Sequence, residues 1–259
     1  MKVTMSKNME TFAYWLEQLL AESSGKEKKG ILPFFSTDDE KMAGEFVLRQ
    51  DQNSISIPSL EFTLTFDSEL GLAESFFLWE MVTSILGIFL NVNPFDEPDV
   101  TLAKTKCSRC LESSEKNMLD LIPSSHKSTW STWTPQKNAP GAAVIVLDYL
   151  AQNDKSHSMC EVICQTIEQN FGRRCIRQMG PRYLHSTGQL FKGGVDQAEF
   201  ILLTQDQPEL LHSPSSIGFT RLKHAQASGD VLAMIEKGRR VTHIHLDPKT
   251  LDELFQHQS

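Results

Sequence analysis

The second half of the chain alternates apolar runs with helical segments, and this alternation constrains the fold more than any other feature. Residues 142–147 (AAVIVL) read as a buried strand and 198–204 (AEFILLT) as another; 241–246 closes the series. Between them, 156–171 and 216–237 read as helices, and 174–178 as a further strand. Strands that alternate with helices predict an α/β fold, a three-layer α/β/α sandwich around a mostly parallel sheet.

The first half is more mixed. Residues 9–22 place Phe12, Trp15, Leu16, Leu19 and Leu20 at helical spacing, and Ser23-Ser24-Gly25 ends that helix. Ile31-Leu32-Pro33-Phe34-Phe35 is strand-like, and 44–49 and 54–66 are rich in β-formers. Alternation at Ser54-Ile55-Ser56-Ile57 meets Pro58, which predicts a break or an edge strand. Residues 72–91 are apolar nearly all round, the pattern of a buried helix. Asn93-Pro94-Phe95-Asp96 breaks it, and a polar helix is expected over 97–117. Residues 119–141 are rich in Ser, Thr, Pro and Lys and read as a loop.

A chain of 259 residues is long enough for one large domain or two small ones, and a real core. We take 1–259 as one domain. Lys plus Arg is 25 and Asp plus Glu 33, a formal net charge of −8. That argues against nucleic acid, whose binding rests on phosphate neutralisation, and against an anionic membrane surface. No stretch approaches 18 consecutive apolar residues, and Met81 to Leu90 is half the length of a spanning helix. The N-terminus shows no continuous apolar region of a signal peptide. Five sparse cysteines predict reduced thiols and a cytoplasmic location.

Several residues invite chemistry. Cys107 and Cys110, with Cys160 and Cys164, have pairwise metal spacing, but both pairs fall in expected helices of a large domain, so no metal is expected. His243 and His245 share one face of a strand; two imidazoles do not make a metal site, and a half-exposed strand face is the plainer reading. Glu22 ends an apolar helix before Ser23-Ser24-Gly25-Lys26. It is either a solvated helix end or a general base tuned by partial burial. The run from Gly180 to Gln189, followed by Lys192-Gly193-Gly194, is a shaped loop that holds His185 among polar neighbours. Its Ser-Thr-Gly can offer N–H groups and hydroxyls to an anion. Lys104 lies on the helix after Asn93-Pro94, as a surface lysine or as part of a site.

Three of these blocks together resemble one family. Residues 15–26 (WLEQLLAESSGK) with Gly30-Ile31-Leu32-Pro33 resemble the catalytic-glutamate segment of phosphoglucose isomerases. Trp79-Glu80 through Asn93-Pro94-Phe95-Asp96 to Lys104 is similar to the lysine segment, and Gly180 to Gly194 to the histidine loop. The histidine block comes last here, whereas in most of the family it lies between the other two. That order, with Leu222-Lys223, Gly229-Asp230 and Gly238-Arg239-Arg240-Val241, resembles the isomerase part of transaldolase/phosphoglucose isomerase fusions.

The resemblance implies a sugar-isomerase type of α/β/α domain that interconverts glucose 6-phosphate and fructose 6-phosphate, in glycolysis and gluconeogenesis. It implies Glu22 as the base between C2 and C1, His185 and Lys104 in ring opening, and Gln18 as a substrate contact. It implies no cofactor, because fixed positive groups can stabilise the enediol. It also implies a homodimer in which the neighbouring subunit contributes the histidine. The family's Ser/Thr phosphate loop and an arginine for the enediolate belong to a preceding domain, and only 21 residues precede Glu22. The chain is therefore expected to be the C-terminal half, weak or inactive alone, with a first isomerase domain and possibly a transaldolase beside it. Phe191 and Ser24 stand where the fusions tend to have histidine and threonine. The competing expectation is a non-catalytic module that binds sugar phosphate.

Overall fold

The computed structural model of the chain describes residues 2–5, 10–37, 47–50, 53–56, 61–64, 69–136, 143–210 and 217–247. Two compact units share them. The first comprises Met1–Val100 with Leu184–Val195, the second Thr101–Tyr183 with Asp196–Ser259.

In the first unit the order is β1 (Lys2–Met5), α1 (Glu10–Ser24), β2 (Phe34–Thr37), β3 (Val47–Gln50), β4 (Asn53–Ser56), β5 (Glu61–Leu64), α2 (Glu69–Leu90) and the start of α3 (Pro98–Glu112). Strand β1 lies between β2 and β5, parallel to both, with Lys2 opposite Phe34 and Glu61. Strands β3 and β4 form an antiparallel pair. Pro58 and residues 38–46 lie outside the described residues. Helix α1 presents Phe12, Ala13, Leu16 and Leu20 to Trp79 of α2. The Phe76 ring meets Phe12 and Trp15 edge-on, at centroid distances of 5.2 and 4.4 Å. Aromatic pairs of this geometry add about 0.5–1.5 kcal/mol each to the area they bury.

Helix α2 corrects one sequence expectation. It forms over the expected residues, but it is not a buried helix. Helix α1 packs against one stripe of it, at Phe76, Trp79 and Leu86. Phe77, Leu78, Met81, Ile85, Ile88 and Phe89 face outward, Phe89 with 80% of its surface exposed. Gly71–Leu90, of mean hydropathy 1.4, is long and apolar enough to cross a membrane by length and composition, although it contains Glu74 and Glu80.

The second unit is built on a five-stranded, all-parallel sheet. After α3 come β6 (Lys127–Ser128), β7 (Ala143–Asp148), α4 (Asp154–Phe171) and β8 (Cys175–Met179). The chain then passes through α5 (Gly188–Gly193) in the first unit and returns as β9 (Ala198–Thr204), α6 (Phe219–Glu236) and β10 (Val241–His245). The strand order is β6-β10-β9-β7-β8. Val144, Val146, Ile201, Leu203 and Ile244 point to one face, where Met159, Cys160, Ile163 and Ile167 of α4 cover them. The alternate residues Ile145, Leu147, Phe200 and Leu202 are equally buried, and α6 packs against β10. The fold is the expected three-layer α/β/α arrangement. Burying a Val, Leu or Ile side chain stabilises by about 1.5–3 kcal/mol, so these two faces carry much of the unit's stability.

Local chemistry sets the element ends. Asn153 caps α4 by accepting from the Ser156 N–H at 2.9 Å, and Gly172 ends it at φ 61°. The buried Asp148 carboxylate ends β7, accepting from Leu150 N–H at 2.9 Å and from Arg177 at 2.9 and 2.6 Å. The expected loop over 119–141 contains β6, which pairs Lys127 and Ser128 with His243 and Ile244. A strand of two residues has no periodicity to read, so only its partner reveals it.

His243 sits in the middle strand segment of β10, 5% exposed, with Nε2 2.8 Å from Thr204 Oγ1. Burial first, then the neighbouring His245, Lys127 and His224, push it down from 6.5 to about 3. Between these two values the unfolded chain binds a proton that folded His243 refuses. This contribution to stability is therefore present above about pH 6.5 and is lost as the pH falls, by up to about 1.4 kcal/mol per pH unit. Urea unfolding at pH 7 and pH 5 should show a larger loss for the wild-type chain than for His243→Gln. Equal losses would mean that His243 protonates in the folded state.

Candidate active site

The glutamate segment is the end of α1 and the turn after it. Glu22 lies in the last turn, half-buried, and its Oε2 accepts from Gln18 Nε2 at 3.2 Å, one turn back. Ser24 Oγ donates to Leu20 O at 2.6 Å and accepts from Ile31 N–H at 3.0 Å, so one hydroxyl ties the helix end to the chain leaving the turn. Glu27 and Lys28 both adopt left-handed backbone, at φ 56° and 60°. Such residues cost about 1–3 kcal/mol each and persist where the surroundings over-determine them.

Lys26 supplies part of that determination. It is 2% exposed. Its Nζ donates to Asn93 O at 2.7 Å, to Asp96 O, and to Asp96 Oδ1 at 3.0 Å. One ammonium thus holds the Asn93–Asp96 turn against the end of α1. Helix α3 follows with Pro98 in its first turn, where a missing N–H costs nothing, and with Asp99 near the positive end of the dipole.

The histidine loop meets the other two segments through one side chain. Gln189, in α5, is completely buried. Its Oε1 accepts from the N–H groups of Asp99 and Val100 at 3.0 and 3.2 Å, capping α3 from outside. Its Nε2 donates to Gly25 O at 3.0 Å and to Asp99 Oδ2 at 2.7 Å. The amide therefore satisfies the glutamate segment and the start of the lysine segment at once. Contact here is close enough to demand glycine. A Cβ on Gly25 would collide with the Leu190 backbone, and one on Gly193 with the Asp99 carboxylate. The Lys28 N–H completes the junction by donating to Gly193 O at 2.7 Å.

Of the residues singled out in the sequence, Glu22, Gln18 and His185 all belong to the first unit. Glu22 and Gln18 touch; His185 is exposed, four residues before Gln189. Lys104 belongs to the second unit, exposed on α3. Gln189, Asp99 and Lys26 were not singled out for a role. A buried amide has no sequence periodicity, and the three lie in blocks separated by as many as 164 residues. Among the described residues of the first unit, clefts of about 740 and 340 Å³ lie around Pro94, Phe95 and Ser84. Leu19 and Ser23 line the smaller one; neither Glu22 nor His185 lines either. Among the described residues no cluster of three or more His, Cys, Asp or Glu could hold a metal.

No protein-family model and no curated protein matches the chain. Among solved structures, it is similar to a hypothetical protein from Thermus thermophilus, with 13% identity and a TM-score of 0.38 over 99% of this chain and 75% of that one.

Replacing Gln189 by Leu keeps its volume and removes all four hydrogen bonds. Unpaired buried groups cost about 1–3 kcal/mol each, so Gln189→Leu should lose roughly 3–5 kcal/mol in urea unfolding and speed hydrogen exchange at Asp99 and Val100. A loss below about 1 kcal/mol, with unchanged exchange, would show that the junction is held by something else.

Proposed function

We propose that the chain carries the proton-transfer residues of a phosphoglucose isomerase, interconverting glucose 6-phosphate and fructose 6-phosphate through an enediol. The observation that supports this reading most is the Gln189 junction. Three blocks that resemble one family in sequence share a single buried amide, and two of the glycines in those blocks are required by the contact.

In this reading Glu22 removes the proton from C2 of the open-chain aldose and returns it to C1, while the hydroxyl proton passes from O2 to O1. A carboxylate suits that step because it acts in both directions without a metal. Its hydrogen bond to Gln18 orients it, and Gln18 remains exposed to meet a sugar hydroxyl. His185 passes a proton to or from the ring oxygen, and Lys104 assists opening and orients the sugar. The Lys26 and Gln189 contacts keep the end of α1 fixed, so that the base does not need to be ordered during the reaction.

The remaining requirements are binding and charge. Phosphate binding supplies remote energy that orients the reacting carbons, and a positive group must meet the enediolate. We propose that a first sugar-isomerase domain supplies both, that the working form is a cytoplasmic homodimer, and that the neighbouring subunit contributes His185.

The test is glucose 6-phosphate turnover by the chain alone, by the chain with a separately expressed first sugar-isomerase domain, and by that mixture carrying Glu22→Gln. Low activity alone, recovery in the mixture and a loss of roughly 10²–10⁴-fold in Glu22→Gln are expected. Unchanged activity in Glu22→Gln would remove Glu22 as the base. Sugar phosphate binding without turnover in every mixture would favour the non-catalytic module, and full activity alone would put the phosphate site within this chain.

A further inference from the structure

The carboxyl ends of β9 and β10 in the second unit carry a polar chain that the isomerase reading does not use. His243 and His245 are two residues apart on one face of β10, and Thr204 ends β9 directly opposite His245. Thr204 Oγ1 lies 2.8 Å from His243 Nε2 and 3.0 Å from His245 Nδ1. On its other side His245 Nε2 is 3.5 Å from Asp206 Oδ1. Exposure falls along this chain: the Asp206 side chain is 95% exposed and that of His245 38%, whereas Thr204 is fully buried and His243 nearly so.

Hydrogen counting couples the two bonds, because Thr204 donates one and accepts the other, and it leaves two arrangements that run in opposite directions. The Asp206 carboxylate favours the proton on His245 Nε2, which leaves His245 Nδ1 as an acceptor. Thr204 has one hydroxyl proton, and donating it to that nitrogen leaves its oxygen to accept from His243 Nε2–H. The buried ring therefore carries its proton on Nε2 and is bare at Nδ1. A second proton on His245 reverses the order. His245 Nδ1–H must then donate to Thr204, the hydroxyl must turn to donate to His243 Nε2, and His243 must carry its proton on Nδ1.

We propose that Asp206, His245, Thr204 and His243 form a pH-responsive relay, in which protonation of the outer histidine moves the ring proton of the buried one from Nε2 to Nδ1. The step balances. His243 gives its Nε2 proton to Thr204 Oγ1, the Thr204 hydroxyl proton passes to His245 Nδ1, and a hydronium ion from solvent protonates His243 Nδ1 and leaves as water. The net change is one proton taken from solvent, with the positive charge on His245 beside Asp206. His243 itself stays neutral, since the charged groups around it oppose a second charge. These are His245 on its own strand, Lys127 on β6 and His224 on α6. Lys223 of α6 and the carboxylates of Asp206 and Glu209 act on His224 in turn.

The test is imidazole ¹⁵N NMR of the full chain from pH 8 to pH 5. The expected result is that His243 exchanges a protonated Nε2 for a protonated Nδ1 with the same midpoint as the titration of His245. Thr204→Ser should keep the two transitions together, and Thr204→Val should leave His243 in one tautomer while His245 still titrates. A His243 tautomer that stays constant through the His245 titration in the wild-type chain would overturn the relay, as would coupled transitions in Thr204→Val. If Thr204→Val does not fold, His245→Asn replaces it; a pH-independent His243 tautomer is expected there, and a pH-dependent one would contradict the proposal.

Discussion

A single buried amide joins the end of α1, helix α5 and the start of α3 in the first unit. Gln189 caps α3 from outside, accepting from Asp99 and Val100, and donates to Gly25 and to the Asp99 carboxylate. An amide is suited to this place because it offers an acceptor and two donors at one end of a short, neutral side chain. A carboxylate there would face Asp99 across 2.7 Å and repel it. The glycines follow from the amide: its bonds pull α5 against Gly25 and Asp99 so closely that neither Gly25 nor Gly193 has room for a Cβ. The end of α1, and with it Glu22, is therefore set by a contact made 164 residues later in the chain.

This arrangement explains how a half-buried glutamate can be kept in place at a helix end that would otherwise fray. Lys26 adds a second tie, replacing the water of its ammonium with Asn93 and Asp96 oxygens. Together the two contacts hold two consecutive left-handed residues, Glu27 and Lys28, which an unsupported turn would relax. The exposed apolar surface of α2 is a separate matter. Its Phe77, Leu78, Ile88 and Phe89 are exposed, whereas Phe76, Trp79 and Leu86 pack against α1.

The parallel sheet was legible in the sequence because burial on both faces leaves continuous apolar runs. Residues 198–204 form β9 with the expected bounds, and 142–147 falls one residue short of β7. Strand β6 was not legible, since its pairing comes from His243 and Ile244, 116 residues away. Helix α2 was legible as a helix but not as an exposed one, because apolar residues all round a helix carry no record of what covers them. Within the candidate site, Glu22 could be named from its place at the end of an apolar helix, whereas Gln18 came only from the resemblance. Gln189, Asp99 and Lys26 could not be named, because their roles exist only once distant segments meet. The resemblance singled out three blocks without indicating that Gln189 joins them.

The central claim is that the base held by this junction moves a proton on carbon. It is tested most directly by solvent exchange. Fructose 6-phosphate is incubated in D₂O with the chain and a separately expressed first sugar-isomerase domain, and deuterium at C1 is followed by NMR. The expected result is deuterium at one of the two C1 positions, from the fraction of turnovers in which the proton on Glu22 exchanges with solvent, with both deuterium entry and isomerisation abolished by Glu22→Gln. Deuterium entry or isomerisation that Glu22→Gln leaves unchanged would contradict a role for Glu22 in moving that proton.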